Sequence, residues 1–259
     1  MTSETGSGPA RVLAIVHHVD AGPGVFGDAI RRAGAELDEW LIVDGALPPR
    51  DPLDYTAVVF LGSSVHADQA EAHPWLERER ELLGELVQER VPVLGVCLGA
   101  QLLAQATGGK ALRSAEPEIG WYEVALESEG ADDPVLGFLA PRFEALGWHS
   151  YEVELPDEAT LLARSDACIQ AFRVGDRAWG IQFHSEVTWR DLLVWIEGSR
   201  SDPDAGGVDL DALRHRSEQS IGAWNELGRA MAARFIAQAT LPRSDGAKAS
   251  GWGQLDFRR

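Results

Sequence analysis

The sequence predicts an α/β fold, a doubly wound, mostly parallel sheet with helices on both faces and an antiparallel extension. Three observations predict it. The runs at 12–16, 57–61 and 91–96 are apolar throughout, as strands covered on both faces are. Helix-like segments lie between these runs, so successive strands pair in parallel. Beyond residue 120, strand-like runs follow one another with few helices between them, the pattern of an antiparallel addition.

Each element has its own justification. Residues 1–10 are small and polar and are expected to be disordered. They lack the basic and apolar segments of a secretory signal. The first buried strand is 12–16, followed by a turn-rich loop at 17–24 and a helix around 26–33. A second strand at 37–43 leads into a connection carrying Pro48, Pro49 and Pro52, and 57–61 is the third strand. Residues 74–90 read as a long amphipathic helix. Pro74 suits its first turn, where a missing N–H costs nothing, and Leu76, Leu82, Leu83, Leu86 and Val87 share a face. Glu77, Glu79, Glu81 and Glu85, interleaved with Arg78 and Arg80, read as its solvated face. A fourth strand at 91–96 meets a helix at 100–106 that Gly108-Gly109 closes. The runs at 121–126, 143–148, 160–164, 168–174 and 178–183 read as strands, and 189–197 as a short helix. A polar link at 199–207 precedes a C-terminal helix or helix pair over about 208–237. The whole forms one domain over 11–239, with a flexible tail from 240 to 259.

Composition excludes several function classes. A formal net charge of −18 opposes a nucleic-acid surface, which needs clustered Lys and Arg. No apolar run approaches the length of a membrane span. Two cysteines, Cys97 and Cys168, do not make a disulfide framework. A reducing cytoplasm is therefore the expected setting.

Cys97 carries the chemistry. It lies in Gly95-Val96-Cys97-Leu98-Gly99, where an apolar strand turns abruptly into a helix. This is the pattern of a nucleophile elbow, best known with serine. The following helix directs unpaired N–H groups and its positive end at the sulfur, and such a setting favours the nucleophilic thiolate. A cysteine nucleophile needs a group that shuttles its proton. Of seven histidines, His184 ends an apolar strand, and Glu186 follows two residues later. Residues two apart on an extended segment face the same side, so Glu186 can orient the imidazole and stabilise its charged form. His149 is an alternative base, without a carboxylate at pairing distance in sequence.

Gly95-Val96-Cys97-Leu98-Gly99-Ala100-Gln101, with Gln182-Phe183-His184-Ser185-Glu186-Val187 far downstream, resembles the class I (triad) glutamine amidotransferases. The resemblance is to the standalone type related to the glutaminase domain of GMP synthase. His73-Pro74-Trp75-Leu76-Glu77 and Pro117-Glu118-Ile119-Gly120-Trp121-Tyr122 extend it over roughly 11–200. It implies a flavodoxin-like sheet and hydrolysis of glutamine through a γ-glutamyl thioester on Cys97. It implies no cofactor and no metal, and ammonia release to solvent or to a separate synthetase. The oxyanion would be held by the N–H groups of Leu98 and Ser63, and Gln101, Ser150 and Tyr151 would contact the substrate. The chain departs from the family at Leu61-Gly62-Ser63-Ser64, where Gly-Gly-Pro is usual, and at Ser185, where proline is common. Serine enters positive φ less freely than glycine. Two alternatives accompany this reading: a γ-glutamyl peptide or amide hydrolase with the same triad, and a non-catalytic binding or regulatory subunit on the same fold.

Other residues read as structural. His17 and His18, with Asp20, are loop residues expected to be solvated rather than to hold a metal. Cys168 reads as strand core. Trp121, Trp148 and Trp179 flank the site and suit core or rim packing equally.

Overall fold

Arg11–Val16 (β1) is buried along almost its entire length, and the strands added to it on either side build one nine-stranded sheet. The computed structural model describes residues 8–18, 21–139 and 141–242. Glu36–Leu41 (β2), Ala57–Phe60 (β3), Val93–Val96 (β4) and Ala178–Ile181 (β9) continue the parallel half in the order β2-β1-β3-β4-β9. Every residue of β3, β4 and β9 is buried, which is why these strands are so uniformly apolar. Chain direction then alternates through Ile169–Val174 (β8), Ala159–Arg164 (β7), Lys110–Leu126 (β5) and Arg142–Glu154 (β6). The doubly wound sheet and its antiparallel extension are as the sequence predicts.

Helices cover both faces. Gly24–Arg32 (α1), Trp189–Gly198 (α5) and Leu210–Ala239 (α6) pack on one side, where Phe26, Ile30, Trp224 and Phe235 are buried. Trp75–Gln88 (α2) and Leu98–Ala106 (α3) pack on the other, over Leu13, Phe60 and Val93. Ser128–Ala131 (α4) is a single turn between β5 and β6. In α5, Thr188 accepts from the Asp191 N–H while Asp191 accepts from the Thr188 N–H, a reciprocal cap that starts the helix sharply.

Several expectations change. The β5 and β6 strands are much longer than 121–126 and 143–148. Their polar ends pair with each other, Lys110 opposite Glu154 and Glu118 opposite His149, across an irregularity between Arg113 and Glu118. The second strand stops at Leu41 and turns through a 3₁₀ segment, Ile42–Asp44. The 199–207 link contains two 3₁₀ turns. The C-terminal segment is one 30-residue helix. Of the expected tail, Leu241 and Pro242 are held through their carbonyls by Arg177. Residues 243–259, residues 1–7 and Asp20 lie outside the described residues.

Helix α6 seats on the chain just after β9. A Cβ on Gly228 would overlap the Ser185 carbonyl oxygen, whereas one on Gly222 would meet open space. Alanine favours a helix over glycine by up to about 1 kcal/mol, while forcing atoms into a packed contact costs about 1–3 kcal/mol. Gly228→Ala is therefore expected to lower the unfolding free energy by about 1–3 kcal/mol, and Gly222→Ala to raise it by about 0.5–1 kcal/mol. Urea denaturation of the two variants checks the opposite signs.

Candidate active site

Sharp backbone geometry puts Cys97 at the carboxyl end of β4. Its φ of 52° and ψ of −106° fall in the left-handed half of backbone space, which costs a non-glycine residue on the order of 1–3 kcal/mol. The two glycines let the turn close. A Cβ on Gly95 would stand 2.5 Å from the Gly99 carbonyl oxygen, and one on Gly99 would overlap the Phe60 carbonyl oxygen. The Cys97 N–H donates to Ile181 at 2.8 Å, and its carbonyl accepts from Gln101 N–H at 3.0 Å, the first turn of α3. The N–H groups of Leu98 and Gly99, in that first turn, have no acceptor within the helix.

His184 lies just beyond β9, the strand beside β4. Its N–H donates to Leu146 at 2.8 Å, its carbonyl accepts from Trp224 Nε1 at 2.7 Å, and its ring packs edge-on against Trp195. Nδ1 is 2.7 Å from Glu186 Oε1. A carboxylate only accepts, so Nδ1 carries the proton, and Nε2 is left for the sulfur. The peptide after Glu186 is fixed in turn, because its carbonyl accepts from Val25 N–H at 2.8 Å, and Gly24 is needed beside it because a Cβ there would overlap that oxygen.

Cys97, His184 and Glu186 are all buried. Burial works against a charged ring. The negative charge of Glu186, together with the charge of Cys97 and a hydrogen bond with it, outweighs burial and raises His184 from 6.5 to about 10. Stability is linked to this proton. A group raised on folding contributes stability that is fully present below 6.5 and is lost as pH rises to about 10.

The loop after β3 closes over the pair. A Cβ on Gly62 would come within 2.9 Å of His184 Cε1 and 3.4 Å of Cys97 Cβ. Ser63 Oγ accepts from Val65 N–H at 3.1 Å, and among the described residues the only non-glycine positions with positive φ are Arg90 and Cys97. Serine therefore fits at 63 and 64 without backbone strain. The Gly62 carbonyl accepts from His17 Nδ1 at 3.0 Å, and His17 Nε2 is 2.8 Å from Glu79 Oε2. In a trans peptide C=O and N–H point to opposite edges, so this anchor sets the direction of Ser63 N–H. His17 and Glu79 are buried, which corrects their reading as solvated residues. Burial opposes charge on His17, and Glu79 outweighs it and raises the imidazole above 6.5.

The proposed substrate residues divide. Gln101 is buried one turn into α3, with Nε2 3.3 Å from Gln182 Oε1. The Trp148 carbonyl oxygen is 3.9 Å from Cys97 Sγ. Farther along β6, Tyr151 donates to Asp68 at 2.8 Å and stacks on His66, and the Ser150 side chain hydrogen-bonds Asp204. Tyr151, His66, Asp68, Arg113, Asp202 and Asp204 line an open cavity of about 470 Å³, across which Arg113 pairs with Asp204. Trp121 and Trp179 are core residues, donating to Ser217 and Asp133. His149 has no carboxylate near it in sequence but faces Glu118 at 3.1 Å across β5 and β6, and one further correction concerns Cys168, which precedes β8 in a polar cluster rather than in apolar core.

Residues that the sequence reading missed hold the site from behind. Trp224, Asn225 and Gly228 grip 184–187 from α6, Asn225 through the Val187 carbonyl at 2.8 Å. Their signal was present in sequence, since they share a face with the buried Ile221, Met231 and Phe235.

The chain is similar to known proteins over most of this frame. A model of the class-I glutamine amidotransferase family matches residues 40–192. A glutamine-hydrolyzing GMP synthase subunit of Halobacterium salinarum is 35% identical over 56% of this chain and 74% of that protein. Gamma-glutamyl peptidase 3 of Arabidopsis thaliana is 31% identical over 66% of this chain and 71% of that protein. The crystal structure of a glutamine amidotransferase from Thermotoga maritima superposes with a TM-score of 0.80 at 30% identity, covering 89% of this chain and 99% of that one. The chain belongs to the class-I glutamine amidotransferase family.

Proposed function

We propose that the protein hydrolyses the side-chain amide of glutamine, with Cys97 as nucleophile, His184 as proton carrier and Glu186 as its orienter. The observation that carries this reading is the buried contact of sulfur, imidazole and carboxylate at the mouth of a nucleophile elbow. The sulfur attacks the amide carbon. The resulting oxyanion accepts from the N–H groups of Leu98 and Ser63. His184, held protonated at neutral pH, gives its Nε2 proton to the departing ammonia as the C–N bond breaks. A γ-glutamyl thioester remains on Cys97. His184 then takes a proton from water and is charged again, the hydroxyl attacks the thioester carbon, the C–S bond breaks with its electron pair on the sulfur, and glutamate leaves with its carboxyl proton lost to solvent. Gln101, Ser150 and Tyr151 would contact the amino-acid end of the substrate. The GMP synthase relative is named as one subunit of that enzyme, which supports delivery of the ammonia to a separate synthetase.

A second reading keeps the triad and changes the leaving group to the amine of a γ-glutamyl peptide. The open, charged cavity beside Tyr151 and the γ-glutamyl peptidase relative favour it. Ammonia release from glutamine, set beside amine release from a panel of γ-glutamyl peptides, separates the two by which substrate has the larger kcat/KM.

Wild-type protein is expected to be labelled at Cys97 by a chloroketone analogue of glutamine, one label per chain, with loss of turnover. Cys97→Ala is expected to lose both labelling and product release. Equal turnover by wild type and Cys97→Ala would overturn the proposal, and failure of labelling would favour a non-catalytic subunit. Losing an oxyanion donor typically costs 10²–10³ in rate. Glu79→Gln only loosens the His17 anchor of the Gly62–Ser63 peptide, so kcat is expected to fall about tenfold with KM nearly unchanged. Steady-state kinetics check this, and an effect confined to KM would remove the anchor from the oxyanion site.

A further inference from the structure

A second cluster, buried at Glu118 and His149 and half-buried at Cys168, lies behind the Trp148–Tyr151 stretch of β6, and its chemistry is that of a metal site. Glu118 and His149 are directly opposed across β5 and β6, and Cys168 reaches them from the turn before β8. Glu118 Oε2 is 3.1 Å from His149 Nε2 and 3.2 Å from Cys168 Sγ, and the three donor atoms all lie within 4.8 Å of one another.

Glu118 is well supplied with donors, from Cys168 and Gln170, but one ring nitrogen of His149 is poorly served. His149 Nδ1 is 3.0 Å from the Tyr151 carbonyl oxygen. A carbonyl only accepts, so Nδ1 holds the ring proton. Nε2 is buried, has no partner in hydrogen-bond geometry, and faces Glu118 Oε2 at 3.1 Å. The comparison within the same molecule is His17, where the ring meets Glu79 at 2.8 Å in good hydrogen-bond alignment. At His149 the ring nitrogen and the carboxylate oxygen stand close without that alignment, an arrangement that a cation bound between them would satisfy.

We infer that Glu118, His149 and Cys168 bind a borderline-soft divalent cation of the zinc type. A thiolate, an imidazole and a carboxylate are zinc ligands, whereas magnesium and calcium take oxygen donors. Tetrahedral zinc–ligand bonds place neighbouring donor atoms about 3.3–3.6 Å apart, so the 3.1 and 3.2 Å separations need only small expansion. The outer partners are already in place. The Tyr151 carbonyl fixes the His149 tautomer that leaves Nε2 free, and Gln170 Nε2 donates to Glu118 Oε2 at 2.6 Å. Metal ligands are commonly held this way. On binding, the Cys168 S–H bond breaks, its proton leaves to solvent, and the sulfur's electron pair forms the bond to the metal. The bound cation would cross-link β5, β6 and the β7–β8 turn next to the segment whose Trp148 carbonyl faces the Cys97 sulfur. The inference is independent of the proposed hydrolase reaction.

The test uses the full chain carrying Cys97→Ser, in which Cys168 is the only thiol. Metal-free protein is titrated with Co²⁺ and then with Zn²⁺. The expected result is a thiolate-to-cobalt charge-transfer band that saturates at one equivalent and is displaced by Zn²⁺. Adding Cys168→Ser is expected to remove the band, and Glu118→Gln, which removes a direct ligand, to weaken Zn²⁺ binding by at least about 10-fold, as read by indicator competition. Absence of the band from the Cys97→Ser protein, which needs no further substitution, would overturn the inference. So would a Zn²⁺ affinity unchanged by Cys168→Ser in protein with an unaltered circular dichroism spectrum.

Discussion

The sulfur–imidazole–carboxylate contact at Cys97, His184 and Glu186 is the constraint to which the rest of the architecture answers. Charge is costly in a buried site unless it is paired and hydrogen-bonded. The three groups meet those conditions together, since each has a partner only while the others hold position. Much of the surrounding structure serves to hold them. Gly95 and Gly99 let β4 turn at once into α3. Leu146 and Trp224 clamp the His184 backbone from both sides. Val25 holds the peptide after Glu186, and Trp195 walls the imidazole. Helices α1, α5 and α6 are thus part of the site's support, although none of them supplies one of the three groups.

The same device recurs around this centre. Glu79 meets His17, and His17 holds the Gly62 carbonyl. Glu118 meets His149, and His149 holds the Tyr151 carbonyl. In each case a buried imidazole spans a carboxylate and a backbone oxygen on a segment that borders the cysteine. Breaking a buried charged pair by removing one partner costs about 3–5 kcal/mol, and that penalty resists displacement of the segment the pair holds. The hydrolysis proposed above would gain from loops held this stiffly, since it needs oxyanion donors placed accurately. A net charge of −18 belongs to the surface and has no part in this.

The parallel half was readable in sequence because its strands are buried on both faces and carry no polar interruptions. The elbow was readable because Gly-x-Cys-x-Gly states a geometric need locally, and so was Glu186 beside His184, since the pairing spans two residues. The long β5–β6 ladder was not readable. Lys110, Glu118, His149 and Glu154 are stabilised by each other across the pairing, and neither strand alone shows it. His17 and Glu79 escaped for the same reason, since residue type suggested solvent while the partner sat on another element. One clue stood in α2, because Glu79 shares the buried face with Leu76, Leu83 and Leu86. The Ser63–Ser64 departure looked costly in sequence only because glycine suggests positive φ, and the loop does not use it.

The central claim is that His184 is a charged ring, held so by Glu186 and the Cys97 sulfur. An NMR titration of the His184 ring nitrogens tests it most directly. The account predicts an imidazolium at neutral pH that loses its proton near pH 10 and a titration displaced toward 6.5 when Cys97→Ala and Glu186→Gln are combined. A wild-type ring that titrates near 6.5, unmoved by those substitutions, would contradict it.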